Sequence, residues 1–123
     1  MILCYDCNSK PEVTHVNFNH KNAEILKAYL PVLEAVAEVL TEHSDIRVEI
    51  QGHIDSSEHE NLQYTYGHHR ANAVKKWLML RGIDERRLVV KDFGDSRPLI
   101  VPKNVEERAI NRRVEFKSIP QQP

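Results

Sequence analysis

A strand that runs into a polar turn, followed by a helix-periodic segment, constrains the fold of this chain most strongly. Residues 46–50 alternate apolar and charged side chains, which predicts a half-buried strand. Gly52 is expected to end this strand, so Asp55 falls just beyond its carboxyl end. Arg70 lies near the start of the helix-periodic segment that follows. A carboxylate and a guanidinium placed in this way can converge on a ligand that carries both an ammonium and a carboxylate.

The remaining patterns predict alternating strands and helices. β-Branched and aromatic residues favour a first strand over 13–18. Leucines and alanines at spacings of three and four predict a helix over 31–43 after a short turn, since proline fits a first helical turn. A long helix, a third strand, a short helix and a last strand are predicted over 61–81, 87–93, 105–110 and 113–119. The order β-α-β-α-β-(α)-β predicts an α/β (α+β) two-layer sandwich, with helices on one face of a mixed sheet.

Length and composition narrow the class of protein. The 123 residues fit one domain over 12–119, with a leader over 1–11 and a tail over 120–123. A formal net charge of −1 gives no general drive toward nucleic acid. No apolar run approaches membrane-spanning length, and the first ten residues lack a signal-peptide pattern. We therefore expect either a cytoplasmic protein or a segment of a longer exported one.

The two cysteines, Cys4 and Cys7, form a single Cys-x-x-Cys in the polar leader. Two thiols cannot complete a tetrahedral zinc site. A redox motif of this kind normally lies at a strand-to-helix junction. The pattern therefore favours a local disulfide or a linker over a redox or metal role.

Six short motifs occur in a fixed order along the chain. The motifs are Phe18, Gly52-His53-Ile54-Asp55, Arg70-Ala71 with Val74, Gly82-Ile83 with Arg87-Leu88, Phe93-Gly94 with Pro98, and Asn111-Arg112-Arg113-Val114-Glu115. Each motif alone is weak, but the ordered set is specific. Over about residues 13–118 the set resembles the OmpA-like C-terminal domain, also called the OmpA/MotB peptidoglycan-binding domain.

The resemblance implies a noncatalytic clamp for the peptidoglycan stem peptide, which binds its diaminopimelate without a covalent bond. Asp55 would receive the ammonium of the ligand and Arg70 its carboxylate. No catalytic residue, metal or cofactor is implied. The domain would lie in the periplasm, attached to a longer envelope protein, and a homodimer is left open. The residues assigned to ligand binding are Asp55, Arg70, Gln63, Gly67, Asn111 and Arg112.

Several positions around the two charged residues depart from the family pattern. Glu58 replaces a common glycine, and Gln63 replaces an asparagine. Ile54 stands for threonine, and Tyr66-Gly67 stands for Leu-Ser. Glu58 is expected to put a negative charge near the mouth of the pocket. These changes predict weaker binding or a different stem peptide.

Other interpretations stay open. A degenerate domain that serves protein association is one, supported by the departures just described. Asp55 is also compatible with a role as a helix cap alone. Arg70 is compatible with an internal ion pair to Asp55. Residues 111–113 are compatible with a basic group on the surface. A metal-dependent hydrolase is less favoured, because the nearby histidines form no helical pair with a supporting carboxylate. These histidines are His53, His59, His68 and His69.

Overall fold

The computed structural model describes residues 15–58 and 65–120. Within them the strands are β1 (His15–Asn17), β2 (Ile46–His53), β3 (Leu88–Gly94) and β4 (Arg113–Pro120), and the helices are α1 (Leu30–Glu42), α2 (Tyr66–Leu80) and α3 (Val105–Asn111). Single 3-10 turns cover Lys27–Tyr29, Ser56–Glu58 and Glu85–Arg87. The predicted order of elements is confirmed. The expectations for Cys4, Cys7, His59 and Gln63 lie outside the described residues.

The four strands form one mixed sheet in the order β1-β4-β2-β3. β2 pairs parallel with β3 and antiparallel with β4, and β4 pairs antiparallel with β1. Ile50 of β2 lies opposite Val90 on one side and Phe116 on the other. The apolar side chains of neighbouring strands are therefore in register on one face.

That apolar face is covered by α1 and α2. Leu33 and Leu40 of α1 have no exposed surface, and neither do Val74 and Leu78 of α2. They form one cluster with the inward side chains of the sheet, such as Ile50. Burial of such side chains contributes about 1.5–3 kcal/mol each. The predicted two-layer sandwich is confirmed. In residues 15–58 and 65–120, no helix is long and apolar enough to cross a membrane.

Two boundaries differ from the prediction. β2 does not end at Gly52 but continues to His53, with a bulge between these two residues. α2 begins at Tyr66, later than predicted, because Thr65 is still extended with φ −125° and ψ 127°. Gly52 is an interior position of β2 at which the start of α2 crosses closely. A Cβ on Gly52 would lie 1.9 Å from the carbonyl oxygen of Gly67.

Candidate functional site

Asp55 lies where the chain leaves β2, and its side chain is 1% exposed. Its Oδ2 accepts hydrogen bonds from the backbone N–H of Ser57 at 3.0 Å and from the Ser57 hydroxyl. Nη1 of Arg108, on α3, lies 3.3 Å from Oδ1 and 3.1 Å from Oδ2. The carboxylate is therefore held between the turn after β2 and the helix before β4.

The surroundings of Asp55 keep it ionised. Burial raises the pKa of the carboxyl, but the hydrogen bonds from Ser57 and then from Arg108 outweigh it, so the pKa lies below its ordinary value. At neutral pH the group is a carboxylate that accepts hydrogen bonds and donates none.

Arg70 is fully buried in the second turn of α2. An arginine side chain has five N–H donors. All five have acceptors. Three are backbone oxygens: Nε donates to Asn22 O at 2.8 Å, Nη1 to His53 O at 3.1 Å and Nη2 to Asn19 O at 3.0 Å. The other two are the carboxylate oxygens of Glu58: Nη1 donates to Oε1 at 2.9 Å and Nη2 to Oε2 at 2.5 Å. The guanidinium therefore has neither a free donor nor an exposed edge.

Glu58 is the carboxylate partner of this buried guanidinium. Its side chain has no exposed surface, so the expectation that Glu58 lies near the pocket mouth is wrong. Oε1 also accepts from the backbone N–H of Asp55 at 3.0 Å, and Oε2 accepts from that of Lys21 at 2.6 Å. Burial raises the pKa of Glu58, but the bonds from Arg70 and Lys21 outweigh it and hold the pKa below its ordinary value. A charge is tolerated at this depth because it is paired and hydrogen-bonded.

The site therefore contains two neighbouring ion pairs, Asp55–Arg108 and Glu58–Arg70. The hydrogen bond from the Asp55 amide to Glu58 joins them. An internal ion pair between Arg70 and Asp55, one of the interpretations left open, does not form, because each residue has another partner. Arg108 belongs to none of the motifs of the sequence, although its position three residues before Asn111 puts both side chains near the same side of α3.

The other predicted residues that the structure describes support the site. Asn111 is buried, and its side-chain oxygen accepts from Leu99 N at 2.8 Å and Ile100 N at 3.3 Å. Nε of Arg112 donates to Phe18 O at 2.9 Å. Gly67 lies against Gly52, with no side chain to offer a ligand. These residues hold the loop before α3 and the end of β1 in place.

A cavity of about 180 Å³ lies beside Asp55. Its walls come from the two residues that flank Asp55 and from the loop before α3. The lining residues are Ile54, Ser56, Asp95, Pro98, Ile100, Val101, Pro102 and Asn111. The lining is mainly apolar, and its polar residues are Ser56, Asp95 and Asn111, so the space can accept a short aliphatic chain that carries a polar group.

The histidines of the described part do not gather into a metal centre. His53 is buried, stacks on Phe93 at 5.5 Å, and neither ring nitrogen has a hydrogen-bond partner there. Burial and then the charge of Arg113 lower its pKa to about 4, so the ring is neutral at pH 7. In residues 15–58 and 65–120, no three His, Cys, Asp or Glu side chains are grouped so that they could hold a metal ion.

The chain is similar to several known proteins. The family model described as OmpA family matches residues 17–112. The chain is 32% identical to the peptidoglycan-associated lipoprotein of Legionella pneumophila over 80% of its own length and 56% of that protein. It is 30% identical to the peptidoglycan-binding protein ArfA of Mycobacterium tuberculosis over 82% of its length and 31% of that protein. The chain thus spans about half or less of these two relatives.

Solved structures support the fold. The crystal structure of the peptidoglycan-associated lipoprotein from Burkholderia pseudomallei matches with a TM-score of 0.83 and 24% identity, over 95% of this chain and 99% of that one. The C-terminal domain of Helicobacter pylori MotB matches with a TM-score of 0.77 and 19% identity, over 89% and 86% of the two chains. At these identities the likeness concerns the architecture.

Proposed function

Because this chain belongs to the OmpA family, we propose that it binds peptidoglycan without catalysing a reaction and anchors a larger envelope protein to the cell wall. Two of the relatives above are named for their association with peptidoglycan. The stem peptide is the proposed partner, and the periplasm is the proposed location. A homodimer stays a prediction.

The observation that carries this proposal is the ionised Asp55 beside the cavity. Among the described residues, its Oδ1 accepts only from Arg108, at 3.3 Å, so that oxygen retains capacity for a further donor. The side-chain ammonium of diaminopimelate is such a donor, and a charge-assisted hydrogen bond is about twice as strong as a neutral one. The aliphatic chain of the same residue fits the mainly apolar cavity.

Arg108 has two proposed roles. Its side chain is 38% exposed, so part of the guanidinium faces solvent while Nη1 contacts Asp55. The contact orients Asp55 and helps to keep its pKa low. The exposed donors are suited to carbonyl oxygens of the stem-peptide backbone.

The remaining predicted ligand residues take supporting parts in this proposal. Arg70 braces the turn that carries Asp55, because it bonds the backbone of His53 and the side chain of Glu58. Asn111 fixes the loop that forms the cavity wall, and Arg112 fixes the end of β1 through its bond to Phe18. Gln63 lies outside the described residues, and its contact with the ligand stays a prediction.

Calorimetric titration with a diaminopimelate-containing stem peptide tests the proposal. We expect Asp55→Asn to weaken binding at least tenfold, about 1.4 kcal/mol, because the ammonium loses its charged acceptor. Glu34→Gln is the matched control, since that carboxylate is in an exposed ion pair with Arg81. Absence of heat from the unaltered chain, or equal binding by Asp55→Asn, contradicts the proposal. Release of soluble fragments from purified peptidoglycan contradicts the noncatalytic part.

Two observations favour a second candidate, a domain that kept the fold and serves protein association. Arg70 is already saturated by the chain's own groups, which removes one charged anchor from the ligand. Leu99, Val101 and Val105 are exposed on the loop and helix beside the site. A folded chain that binds neither stem peptide nor purified peptidoglycan sacculi favours this candidate.

A further inference from the structure

We propose that Glu58 is a built-in carboxylate that occupies Arg70 in place of a ligand carboxylate and so determines which ligands the site accepts. The inference rests on the proposed function, since it concerns the same site. It predicts a site that selects an ammonium group and gains little from a carboxylate next to it.

The geometry of the pair is that of a carboxylate bound to a guanidinium. Glu58 meets Arg70 with both oxygens on two different guanidinium nitrogens, at 2.9 and 2.5 Å. This two-bond arrangement is the one that a guanidinium offers to any carboxylate. The other three donors of Arg70 go to backbone carbonyl oxygens. A ligand carboxylate therefore has no edge of Arg70 left to bind.

Displacement of Glu58 by a ligand is unfavourable. Its two oxygens would also lose the backbone N–H groups of Lys21 and Asp55. A buried carboxylate left without partners is strongly unfavourable. A second carboxylate beside Glu58 would also be repelled by it, because the interior screens charge weakly. A glycine at position 58, as in the family pattern, would bring no carboxylate to this arginine.

The consequence concerns the third residue of the stem peptide. Meso-diaminopimelate and L-lysine both bring a side-chain ammonium, and they differ by the carboxylate beside it. A site that gains nothing from that carboxylate binds the two stem peptides with similar affinity. A site with an open Arg70 prefers the diaminopimelate peptide.

Calorimetry with matched stem peptides, one with diaminopimelate and one with lysine, tests the inference. For the unaltered chain we expect affinities within about threefold of each other, which is under 1 kcal/mol. We expect Glu58→Gly to bind the diaminopimelate peptide at least tenfold more tightly than the lysine peptide. Glu58→Gln is the matched variant, because its amide still fills the position, and no such preference is expected from it.

Each outcome decides one of the two claims. A tenfold preference for diaminopimelate in the unaltered chain that Glu58→Gly leaves unchanged overturns the inference and leaves the proposed function standing. If the unaltered chain binds neither peptide, the proposed function fails. The inference is then judged on Glu58→Gly alone: a gain of diaminopimelate binding supports it, and no gain overturns it.

A folding defect in Glu58→Gly has its own readout. If this variant is unfolded without ligand, the diaminopimelate peptide is expected to restore the folded state, because its carboxylate can pair with Arg70. The lysine peptide has no such carboxylate and is not expected to restore it. The folded fraction is measured by circular dichroism at equal ionic strength. Equal rescue by both peptides, or by neither, overturns the inference.

Discussion

Glu58 and Arg70 form a fully buried ion pair in which Oε1 accepts from Nη1 at 2.9 Å and Oε2 from Nη2 at 2.5 Å. The pair ties the turn after β2 to the second turn of α2. The hydrogen bond from the Asp55 amide to Glu58 makes the pair part of the frame of the candidate site. Arg70 is thus buried and bonded to the chain's own groups, whereas the family resemblance implies that it binds the carboxylate of the ligand.

Loss of this pair is expected to destabilise the fold strongly. Glu58→Ala leaves a buried guanidinium without its carboxylate, and removal of one partner of such a pair costs about 3–5 kcal/mol. Urea unfolding monitored by circular dichroism measures the change. The control is Glu34→Gln, which breaks an ion pair exposed on both sides and is expected to cost under about 1 kcal/mol. Equal effects of the two variants would show that burial of the pair contributes nothing.

His53 is expected to make stability fall between about pH 6.5 and pH 4. Its pKa is lowered from 6.5 to about 4 in the folded chain, so the unfolded chain binds the proton first as the pH falls. Stability is then full above pH 6.5 and declines by about 3 kcal/mol by pH 4, from 1.36 kcal/mol for each unit of pKa. Urea unfolding at several pH values measures this slope.

The matched variant for this effect is His53→Phe. It keeps a flat ring against Phe93 and removes the titrating group. His15 has a pKa that burial lowers as well, so it contributes in the same direction and is retained in this variant. We expect His53→Phe to flatten most of the slope above pH 5. An unchanged slope would mean that another group is responsible.

The crossing of β2 and α2 is expected to tolerate no side chain at Gly52. A Cβ there would lie 1.9 Å from the carbonyl oxygen of Gly67, and backbone cannot move aside as a flexible side chain can. Overpacking of this kind costs about 1–3 kcal/mol. At Gly67 the nearest atom is 2.4 Å away on the side chain of Asp92, so Gly67→Ala is expected to cost less.

Gly82→Ala is the control for conformational cost. Gly82 has φ +92° and nothing within 4 Å of an added Cβ, so alanine there is penalised by backbone strain alone, about 1 kcal/mol. The melting temperatures of Gly52→Ala, Gly67→Ala and Gly82→Ala rank the three variants by stability. A Gly52→Ala variant as stable as Gly82→Ala would contradict the close crossing.

The order of strands and helices could be predicted because it depends on local periodicity. Leu33, Val36, Ala37 and Leu40 of α1 are buried at the predicted spacings of three and four. The position of Asp55 after β2 was predicted for the same reason. The continuation of β2 through Gly52 was not, because it depends on pairing with β4 across the chain.

The ion pairs of the site could not be predicted from the sequence, because their partners come from separate segments of the chain. Arg70 binds three separate segments, at Asn19 and Asn22, at His53, and at Glu58. No periodicity reports which carboxylate meets which guanidinium when they are distant in sequence. Glu58 was noticed as a departure from a family pattern, but its burial follows from the guanidinium that it neutralises.

The most direct test of the account is an NMR titration of the uniformly ¹⁵N-labelled chain with a diaminopimelate-containing stem peptide. We expect saturable shifts of the backbone amides around Asp55 and Ser57 and of Arg108, lost in Asp55→Asn, since ligand and site meet there. A titration that leaves the amides of Asp55, Ser57 and Arg108 unshifted, or that gives no shifts at all, would contradict binding at Asp55.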